Sequence, residues 1–373
     1  MLADGVRMNA YAHAVQRSVK PGAVVLDIGT GTGIFAMLAC QAGARRVYAI
    51  EPDNVILLAQ KIASENGYAE RIEFIQGLSS GIDLPEQVNV IVSDLRGVLP
   101  LFRHHLPSII DARRRFLASG GTLIPQRDLL WAAVVQDPDI YGTYVGPWNG
   151  DAFGLRMQAS QPLATSTWCK HCVDPEQLLT EPRVWATLDY TTAETPDVSA
   201  SLTWNVSRPG TGHGLSVWFD SVLTDGVSFT NAPGAPELIY GSAFFPWSHP
   251  VELAVGDTVS VRLQAKLVGA DYVWRWDTYI ASENETGLVK ADYRQSTFYN
   301  APKSPATLRK RAASHRPTVT DDGRIDQLIL TLMDGATSLD EIARRVVNRF
   351  PDRFAHWHAA LTRVGELSEK YSR

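Results

Sequence analysis

The stretch VVLDIGTGTGIFAMLACQAGARRVYAIE, residues 24–51, decides the fold of the amino-terminal part of the chain. It begins with an apolar, partly β-branched run after Pro21-Gly22, a pattern typical of a buried parallel strand. A glycine-rich turn follows, then a helical pattern over residues 32–42, and then a second apolar strand that ends at Glu51. This order of strand, turn, helix and strand predicts a βαβ unit in a parallel α/β sheet.

The glycine turn has the composition of a ligand site. Gly29, Gly31 and Gly33 stand two residues apart, which allows a tight turn and lets a ligand approach the backbone. Asp27 precedes them at the tip of the first strand, where its charge would repel a pyrophosphate and favour the cationic methionine portion of S-adenosylmethionine. Glu51 is placed to accept hydrogen bonds from ribose hydroxyls. The spacing therefore predicts a methyl-donor site, with an ordinary βαβ turn as the alternative.

Size and composition favour a soluble protein of two or three domains, since 373 residues are too many for one typical core. A formal net charge of −5 gives no global basic field, so nucleic acid is not an expected partner. Three cysteines, no signal-peptide pattern and no long apolar run predict a cytoplasmic protein without a membrane span. Cys169 and Cys172 form a C-x-x-C pair without a second pair, so inert thiols are favoured over a metal or redox site.

The α/β alternation continues to Pro125. An amphipathic helix is predicted over residues 1–19, and a helix over 53–66 is followed by strands at 72–75 and 88–92. The last of these strands delivers Ser93-Asp94-Leu95-Arg96-Gly97 at its carboxyl end, where ligands bind in open α/β sheets. Another helix is predicted over residues 106–117.

Residues 126–300 have a different sequence pattern. Short alternating segments separated by Pro and Gly predict an antiparallel β domain, a barrel or a sandwich, whose core holds most of the tryptophans. Residues 303–316 are basic and free of acids, which is typical of a solvated linker. The remainder predicts three helices, at 326–333, 339–350 and 354–371. The predicted domains are therefore 1–125, 126–302, a linker at 303–316, and 317–373.

From residue 1 to about residue 300 the chain resembles the protein arginine methyltransferases, in which a Rossmann-like S-adenosylmethionine domain precedes a β-barrel. The motifs that carry the resemblance are Met1-Leu2-x-Asp4-x-Val6-Arg7, Val25-Leu26-Asp27-x-Gly29-x-Gly31-Thr32-Gly33-Ile34, Glu51, Ser93-Asp94-x-x-Gly97 and Val173-Asp174-Pro175-x-Gln177-Leu178. A further match, Phe153-Gly154-Leu155-x-Met157, looks like the end of the family's dimerisation arm, expected near 143–165. The resemblance thus implies a homodimer.

The resemblance also implies residue roles in donor binding. Arg7 would hold the donor carboxylate, Asp27 and Gly29 would line its methionine portion, and Glu51 would bind its ribose. The full set predicted to bind S-adenosylmethionine is Arg7, Asp27, Gly29, Thr30, Gly31, Gly33, Glu51, Pro52, Gly77, Leu78 and Ser93.

The chain departs from the family at the acceptor. The family carries two glutamates after the fourth strand that grip the target guanidinium, and these fall on Asp94 and Arg103, with Arg96 between them. A guanidinium in place of a carboxylate would repel an arginine and suit an anionic acceptor. The His of the barrel's Thr-His-Trp is replaced in Phe245-Pro246-Trp247, and His249 is the nearest substitute.

The function predicted from these residues is methylation of a peptide or protein, with a side-chain or terminal carboxylate as the favoured acceptor. The candidate catalytic residues are Asp94, Arg96, Arg103 and His104, with His105 as a further proton acceptor. Two alternatives stay open: an arginine N-methyltransferase with a rebuilt pocket, and a scaffold that binds S-adenosylmethionine without turnover.

The carboxyl-terminal segment resembles the small winged-helix domains that recognise leader peptides in enzymes that modify ribosomally made peptides. Leu332-Met333-Asp334-Gly335 and Leu339-x-Glu341-Ile342-Ala343 carry this resemblance. It implies a leader peptide as partner and a role in the maturation of ribosomal peptide natural products.

Overall fold

A computed structural model describes residues 2–285 and 287–372 of the chain. Met1, the first residue of the predicted amino-terminal helix and of the first family motif, lies outside the described residues, as do Thr286 and Arg373. The chain divides into two compact units, Met1–Ala301 and Pro302–Arg373.

The first unit opens with the predicted parallel α/β sheet. Its helices and strands are α1 (Gly5–Ser18), β1 (Val24–Ile28), α2 (Ile34–Gln41), β2 (Arg46–Glu51), α3 (Val55–Glu65), β3 (Ile72–Gln76), β4 (Val88–Ser93), α4 (His105–Phe116) and β5 (Leu117–Ile124). The strands pair in the order β3-β2-β1-β4-β5, all in parallel. The prediction of a Rossmann-like sheet is confirmed, with each helix and strand within a few residues of its expected place.

The centre of the sheet sets the geometry of the ligand edge. Every residue of β1 is buried, as expected for a strand covered on both faces. The register of β1 and β4 places Ile28 beside Ser93, so that Asp27 and Ser93 come to the same carboxyl edge. The residues that the sequence assigns to donor and acceptor therefore begin from neighbouring strand tips.

The rest of the first unit is antiparallel β structure. Its principal strands are β6 (Arg127–Val135), β7 (Asp151–Ala152), β8 (Leu155–Arg156), β9 (Cys169–His171), β10 (Arg183–Asp189), β11 (Val198–Asn205), β12 (Gly210–Thr224), β13 (Val227–Thr230), β14 (Ser242–Leu253), β15 (Thr258–Val268), β16 (Asp271–Ala281) and β17 (Val289–Ser296). One sheet has the order β10-β6-β12-β14-β9 with β13 on β12, and the other has the order β11-β15-β16-β17. The predicted barrel is thus barrel-like: hydrogen bonds form two sheets, and in residues 126–285 and 287–301 they do not close a single barrel.

Aromatic side chains fill the space inside this β domain. Trp204, Trp247, Trp274 and Trp276 are among the largest fully buried side chains of the chain. Phe245 contacts Trp274 and Trp276, with ring centroids 5.2 Å away in each case. The prediction that most tryptophans form the core is confirmed.

The segment expected to form a dimerisation arm projects an exposed hairpin. It contains α5 (Pro138–Tyr144), the short β7 and β8, and α6 (Gln161–Ala164). At the hairpin tip, Phe153 and Gly154 have φ angles of 53° and 78°, in the left-handed region that favours glycine. The Phe153 side chain is fully exposed. The hairpin tip thus combines an uncommon backbone conformation with an exposed aromatic side chain.

The second unit is helical. It consists of α7 (Pro305–Lys310), α8 (Asp321–Leu332), α9 (Leu339–Arg349) and α10 (Trp357–Tyr371). Ile325, Ile329, Ile342, Val346 and Val364 are the larger side chains of its own buried core. The three predicted helices are confirmed, and α7 lies within the predicted linker. Residues 302–372 contain no strand, so the wing of a winged helix is absent there and leader-peptide recognition gains no support from this unit.

No helix in the described residues is both long and apolar enough to span a membrane.

Candidate functional site

The glycine turn between β1 and α2 requires glycine for two reasons. Gly29, Gly31 and Gly33 have φ angles of 72°, 54° and 80°, which L side chains rarely adopt. A Cβ on Gly29 would overlap the Leu95 side chain, and a Cβ on Gly33 would lie 3.2 Å from the Cβ of Ala59. The backbone angles and the neighbouring side chains therefore both select glycine at Gly29 and Gly33.

Asp27 is a fully buried carboxyl group at the tip of β1. Its Oδ2 atom accepts hydrogen bonds from Thr30 Oγ1 at 2.6 Å and from the Ala36 backbone N–H at 3.0 Å. Its Oδ1 atom is buried and has no partner among the described residues, and the same holds for Ser93 Oγ on the neighbouring strand tip. Burial raises the pKa of Asp27 to about 7. Buried polar atoms are costly without partners, so this edge fits a polar, cationic ligand such as the methionine portion of the predicted donor.

Glu51 lies half-buried at the tip of β2 and faces the same turn. Its Oε2 atom accepts the Gly31 backbone N–H at 3.0 Å, and its Oε1 atom accepts the Asp53 backbone N–H at 3.1 Å. These bonds fix the carboxylate and leave each oxygen with further accepting capacity, as contact with two ribose hydroxyls would require.

A cleft of about 330 Å³ lies beside the turn and has walls from both predicted sites. One wall contains four of the predicted donor-binding residues, Gly29, Pro52, Gly77 and Leu78. The other wall belongs to residues 94–105, which we call the acceptor loop. The loop residues that line the cleft are Leu95, Phe102, Arg103, His104 and His105. The structure thus brings Arg103 and His104 to the cleft, whereas the side chains of Arg7, Ser93, Asp94 and Arg96 are buried and do not line it.

Asp94 has no free acceptor position in this structure. Its Oδ1 atom accepts Arg96 Nη1 at 3.1 Å, its Oδ2 atom accepts Arg7 Nε at 2.5 Å, and the Tyr240 hydroxyl lies within 2.8 Å of both oxygens. Burial opposes the charge, but the guanidinium groups of Arg96 and Arg7 and the Tyr240 hydroxyl outweigh it, so the pKa of Asp94 lies below its ordinary value. Asp94 is thus an ionised carboxylate surrounded by donors.

Arg96 donates all of its hydrogen bonds within the protein. The five bonds run to Asp128 Oδ2 and Oδ1, both at 2.8 Å, Ser221 Oγ at 2.7 Å, Tyr11 Oη at 2.6 Å and Asp94 Oδ1 at 3.1 Å. A guanidinium has five N–H groups, so none is left for a ligand. This geometry argues against the predicted role of Arg96 as a holder of an anionic acceptor.

Asp128 is the second anchor of the acceptor loop, from the β domain. Besides the two bonds from Arg96, its Oδ2 atom accepts the Tyr190 hydroxyl at 2.5 Å, and Tyr190 contacts His105 Nε2 at 3.0 Å. Burial, aided by the nearby Arg96 charge, lowers the pKa of His105 to about 3. His105 is therefore neutral and bound to the β domain, which argues against its predicted role as a proton acceptor for substrate.

Arg103 and His104 are the exposed members of the predicted acceptor set. Arg103 has a φ of 44°, an uncommon value for a residue with a side chain, and its guanidinium lies 5.1 Å from the centre of the Phe102 ring. No ion pair of Arg103 or His104 is found among residues 2–285 and 287–372. The cleft thus presents a strained and unpaired cation where the family resemblance places an acid.

The substitute expected for the missing barrel histidine lies elsewhere. His249 is exposed and its Nδ1 atom contacts Gln161 Nε2 at 3.2 Å, and it is absent from the cleft lining.

The two cysteines of the C-x-x-C pair do not line the cleft either. Burial raises the pKa of Cys169 to about 12, and the Cys172 Sγ contacts Glu237 at 3.9 Å. No group of three or more His, Cys, Asp or Glu side chains is arranged for a metal ion in the part of the chain that the structure describes.

Sequence reasoning missed Asp128 and Tyr240. Asp128 precedes Leu130 and Ala132 at alternate positions of β6, and these positions face the core. An acid in phase with apolar residues must have a buried partner, and that signal points to an arginine. Tyr240 lies in a loop of Pro, Gly and Ala that gives no periodic signal.

The fold and site define a class: a class I methyltransferase sheet, with an acid and a glycine turn at the first strand and an acid at the second, followed by a β domain. The ribosomal protein L11 methyltransferase model matches residues 11–131, and the arginine methyltransferase oligomerization subdomain matches residues 126–272. Protein arginine N-methyltransferase 6 of Xenopus laevis is 32% identical over 231 residues, which cover 59% of this chain and 68% of that relative. The chain belongs to the protein arginine methyltransferase family.

A further relative agrees with this assignment, and solved structures share the fold. A rice (Oryza sativa subsp. indica) protein named "Probable protein arginine N-methyltransferase 6.2" is 32% identical over 234 residues, 59% of this chain, and the match spans 58% of the rice protein's length. The Trypanosoma brucei PRMT1 enzyme-prozyme complex with AdoHcy superposes with a TM-score of 0.72 at 22% identity, over 79% of this chain and 95% of that one. Arabidopsis thaliana protein arginine methyltransferase 10 gives 0.69 at 25% identity over the same shares.

The pKa of Asp27 predicts a pH-dependent donor affinity. The carboxyl group is protonated below about pH 7, so a cation that prefers the carboxylate must displace a proton there. The affinity for the cation therefore decreases as the pH is lowered. Between about pH 7 and about pH 5 the donor's α-ammonium stays protonated, and we expect S-adenosylmethionine affinity to fall by up to about tenfold per pH unit. Titration calorimetry measures this, and Asp27→Asn should flatten the profile whereas the exposed Asp225→Asn should keep it. A pH-independent wild-type affinity would contradict the assignment.

The Arg96 and Asp128 pair predicts a large loss of stability when one partner is removed. Arg96→Met or Asp128→Asn alone leaves a buried charge without its partner, which costs about 3–5 kcal/mol in the free energy of unfolding. The double variant should cost much less than the sum of the two, because the unpaired charge is gone. Denaturant unfolding of the wild type, the two single variants and the double variant measures these free energies. As a control, Arg324→Met, which breaks an exposed pair with Asp321, should change stability by less than about 0.5 kcal/mol. Additive losses would show that the pair is not coupled.

Proposed function

We propose that the protein is an S-adenosylmethionine-dependent methyltransferase of the arginine methyltransferase type that acts on a protein or peptide. The observation that carries the proposal is the donor edge: a buried Asp27 with an unpartnered oxygen, the glycine turn, and Glu51 beside it. The family membership and the names of the relatives support the same reaction class. Since the chain spans about three fifths of the rice relative's length, activity and substrate stand here as proposals.

The chain's own residues would hold the donor and order the two partners. When bound, the donor supplies an electrophilic methyl group. Asp27 and Ser93 would satisfy its methionine portion, Glu51 its ribose, and Arg7 its carboxylate, while the apolar wall of Leu78, Leu95 and Phe102 would exclude water from the cleft. Displacement at a methyl group needs alignment more than acid or base chemistry, so these contacts would supply most of the catalysis.

On the basis of the relatives' names, the proposed acceptor is an arginine side chain that binds in a rebuilt pocket. The hypothesis of carboxylate methylation in peptide natural-product maturation gains no support, since the relatives are named arginine methyltransferases and Arg96 has no free donor for a carboxylate. Asp94 is the acid of the acceptor loop, and Arg103, on the cleft wall, opposes a cationic acceptor. His104, exposed on the cleft wall, is the group placed to take the proton that a guanidinium nitrogen must lose.

A second candidate is a subunit that binds S-adenosylmethionine without turnover. Two observations favour it: the complete occupation of Asp94 by internal donors, and Arg103 at the position of the family's second acid. In this candidate the donor site keeps its affinity, but no methylated product forms.

Arginine peptides distinguish these candidates and predict a dependence on charge at residue 103. We expect mass spectrometry to detect methylarginine at a low rate with the wild type, and the rate to rise in the order Arg103, Arg103→Gln, Arg103→Glu. Removal of a like charge about 4 Å from the acceptor is worth about 1–4 kcal/mol near a protein surface, or at least about fivefold in kcat/KM per step. Arg127→Gln, an exposed change on β6, is the matched control. Donor binding with no product from any of the variants would select the second candidate.

The exposed hairpin supports a homodimer as the assembled form. Phe153, fully exposed, and Leu155 beside it present apolar area that the chain does not cover. We expect light scattering to give twice the chain mass for the wild type and the single mass for Phe153→Asp, because a buried aspartate without a partner disfavours association. Val268→Asp, at an exposed site on β15, should leave the dimer intact. A monomeric wild type would contradict the proposal.

A further inference from the structure

The Tyr240 hydroxyl lies between the guanidinium of Arg7 and the carboxylate of Asp94. Its hydroxyl accepts a hydrogen bond from Arg7 Nε at 2.9 Å and lies 2.8 Å from Asp94 Oδ1 and 2.7 Å from Asp94 Oδ2. A hydroxyl has one proton, and Arg7 is only a donor, so that proton goes to Asp94. Tyr240 thus bridges the arginine assigned to the donor carboxylate and the acid of the acceptor loop.

The β domain holds the ring in place. The Tyr240 ring stacks on Phe229 with 6.0 Å between centroids and an interplanar angle of 7°, and it meets Phe219 edge-on at 5.3 Å. The backbone before it is fixed as well, since Ile239 N–H donates to Asp4 Oδ2 at 2.9 Å and the Ile239 carbonyl accepts Lys170 Nζ at 2.6 Å. The hydroxyl is therefore a rigid contact delivered from the β domain to α1 and to the end of β4.

The charges around the hydroxyl explain why its proton matters. Arg7 and Arg96 both bind Asp94, and the three side chains are almost completely buried. Burial and the adjoining carboxylate raise the pKa of Tyr240 well above its ordinary value, so the hydroxyl stays protonated. Without it, Asp94 would lose a donor and Arg7 Nε would lose an acceptor, so the orientation of the Arg7 guanidinium would be less fixed.

We propose that Tyr240 is a positioning residue for the methyltransferase site: its hydroxyl donates to Asp94 and accepts from Arg7 Nε, and thereby fixes the orientation in which the Arg7 guanidinium binds the donor carboxylate. The inference rests on the proposed function for its effect on turnover, and on the donor site alone for its effect on binding. It assigns to the β domain a direct part in donor recognition.

The test compares two nucleosides on the full-length chain. S-adenosylhomocysteine carries the amino-acid portion and 5′-methylthioadenosine lacks it. The dissociation constant of 5′-methylthioadenosine divided by that of S-adenosylhomocysteine therefore measures what Arg7 and its neighbours contribute to binding. We expect Tyr240→Phe to reduce this ratio at least about fivefold, with 5′-methylthioadenosine affinity changed less than about twofold. Tyr272→Phe, which removes a hydroxyl that donates to the Pro196 carbonyl in the β domain, is the matched control and should leave both affinities unchanged.

Turnover gives a second readout that a merely structural role would not move. With an arginine peptide that the wild type methylates, Tyr240→Phe should raise the KM for S-adenosylmethionine at least about fivefold with a smaller change in kcat, because Arg7 is then less well oriented toward the donor carboxylate. An unchanged or increased nucleoside ratio in Tyr240→Phe, or an equal loss in Tyr272→Phe, would overturn the proposal. A wild type that binds both nucleosides and methylates nothing would refute the proposed function, and the nucleoside ratio would still decide the role of Tyr240.

Discussion

The buried ion pair of Arg96 and Asp128 is the constraint on which the site depends. Two charges removed from water are costly, and their attraction offsets that cost only when geometry is good and every other donor is used. Here the guanidinium makes two parallel bonds to the carboxylate and three more to Ser221, Tyr11 and Asp94. Since Arg96 belongs to the acceptor loop and Asp128 to β6, the pair fixes the loop on the β domain. The position of Asp94 and of the cleft wall follows from that attachment.

Much of the fold could be predicted from sequence because its signals are local. The run from Val24 to Glu51 contains its own strands, turn and helix, and the tips of β1 and β2 carry Asp27 and Glu51 where the chemistry requires them. The strands that were missed in whole or in part have weaker patterns. β14, of which only residues 251–253 were predicted, carries Pro246 and Pro250 near a bulge in its pairing with β12. β17, which was not predicted, is a polar edge strand. Neither shows the alternation that marks a regular strand.

The candidate site likewise has one part that local sequence signals predict and one part that they do not. Most of the predicted donor-binding residues, from Asp27 to Pro52, come from one βαβ unit, so their spacing alone indicates their proximity. The acceptor side depends on contacts between residues more than 30 positions apart, Arg96 with Asp128 and Tyr240 with Asp94, and no spacing rule encodes these. A charged residue read as a ligand holder, Arg96, is instead the partner of a buried acid. The general reason is that a long charged side chain can satisfy itself within the fold as well as with a substrate.

The protonation of Asp27 also bears on how the site distinguishes donor from product. The methyl donor carries a sulfonium charge, and the thioether that remains after transfer does not. An ionised Asp27 favours the first over the second, whereas a protonated Asp27 is indifferent to that charge. With a pKa of about 7, the empty site carries a proton in a large share of molecules near neutrality. Protonation of this one carboxyl group would therefore remove the site's preference for the donor over the spent cofactor, so that local acidity would set the balance between product inhibition and renewed loading.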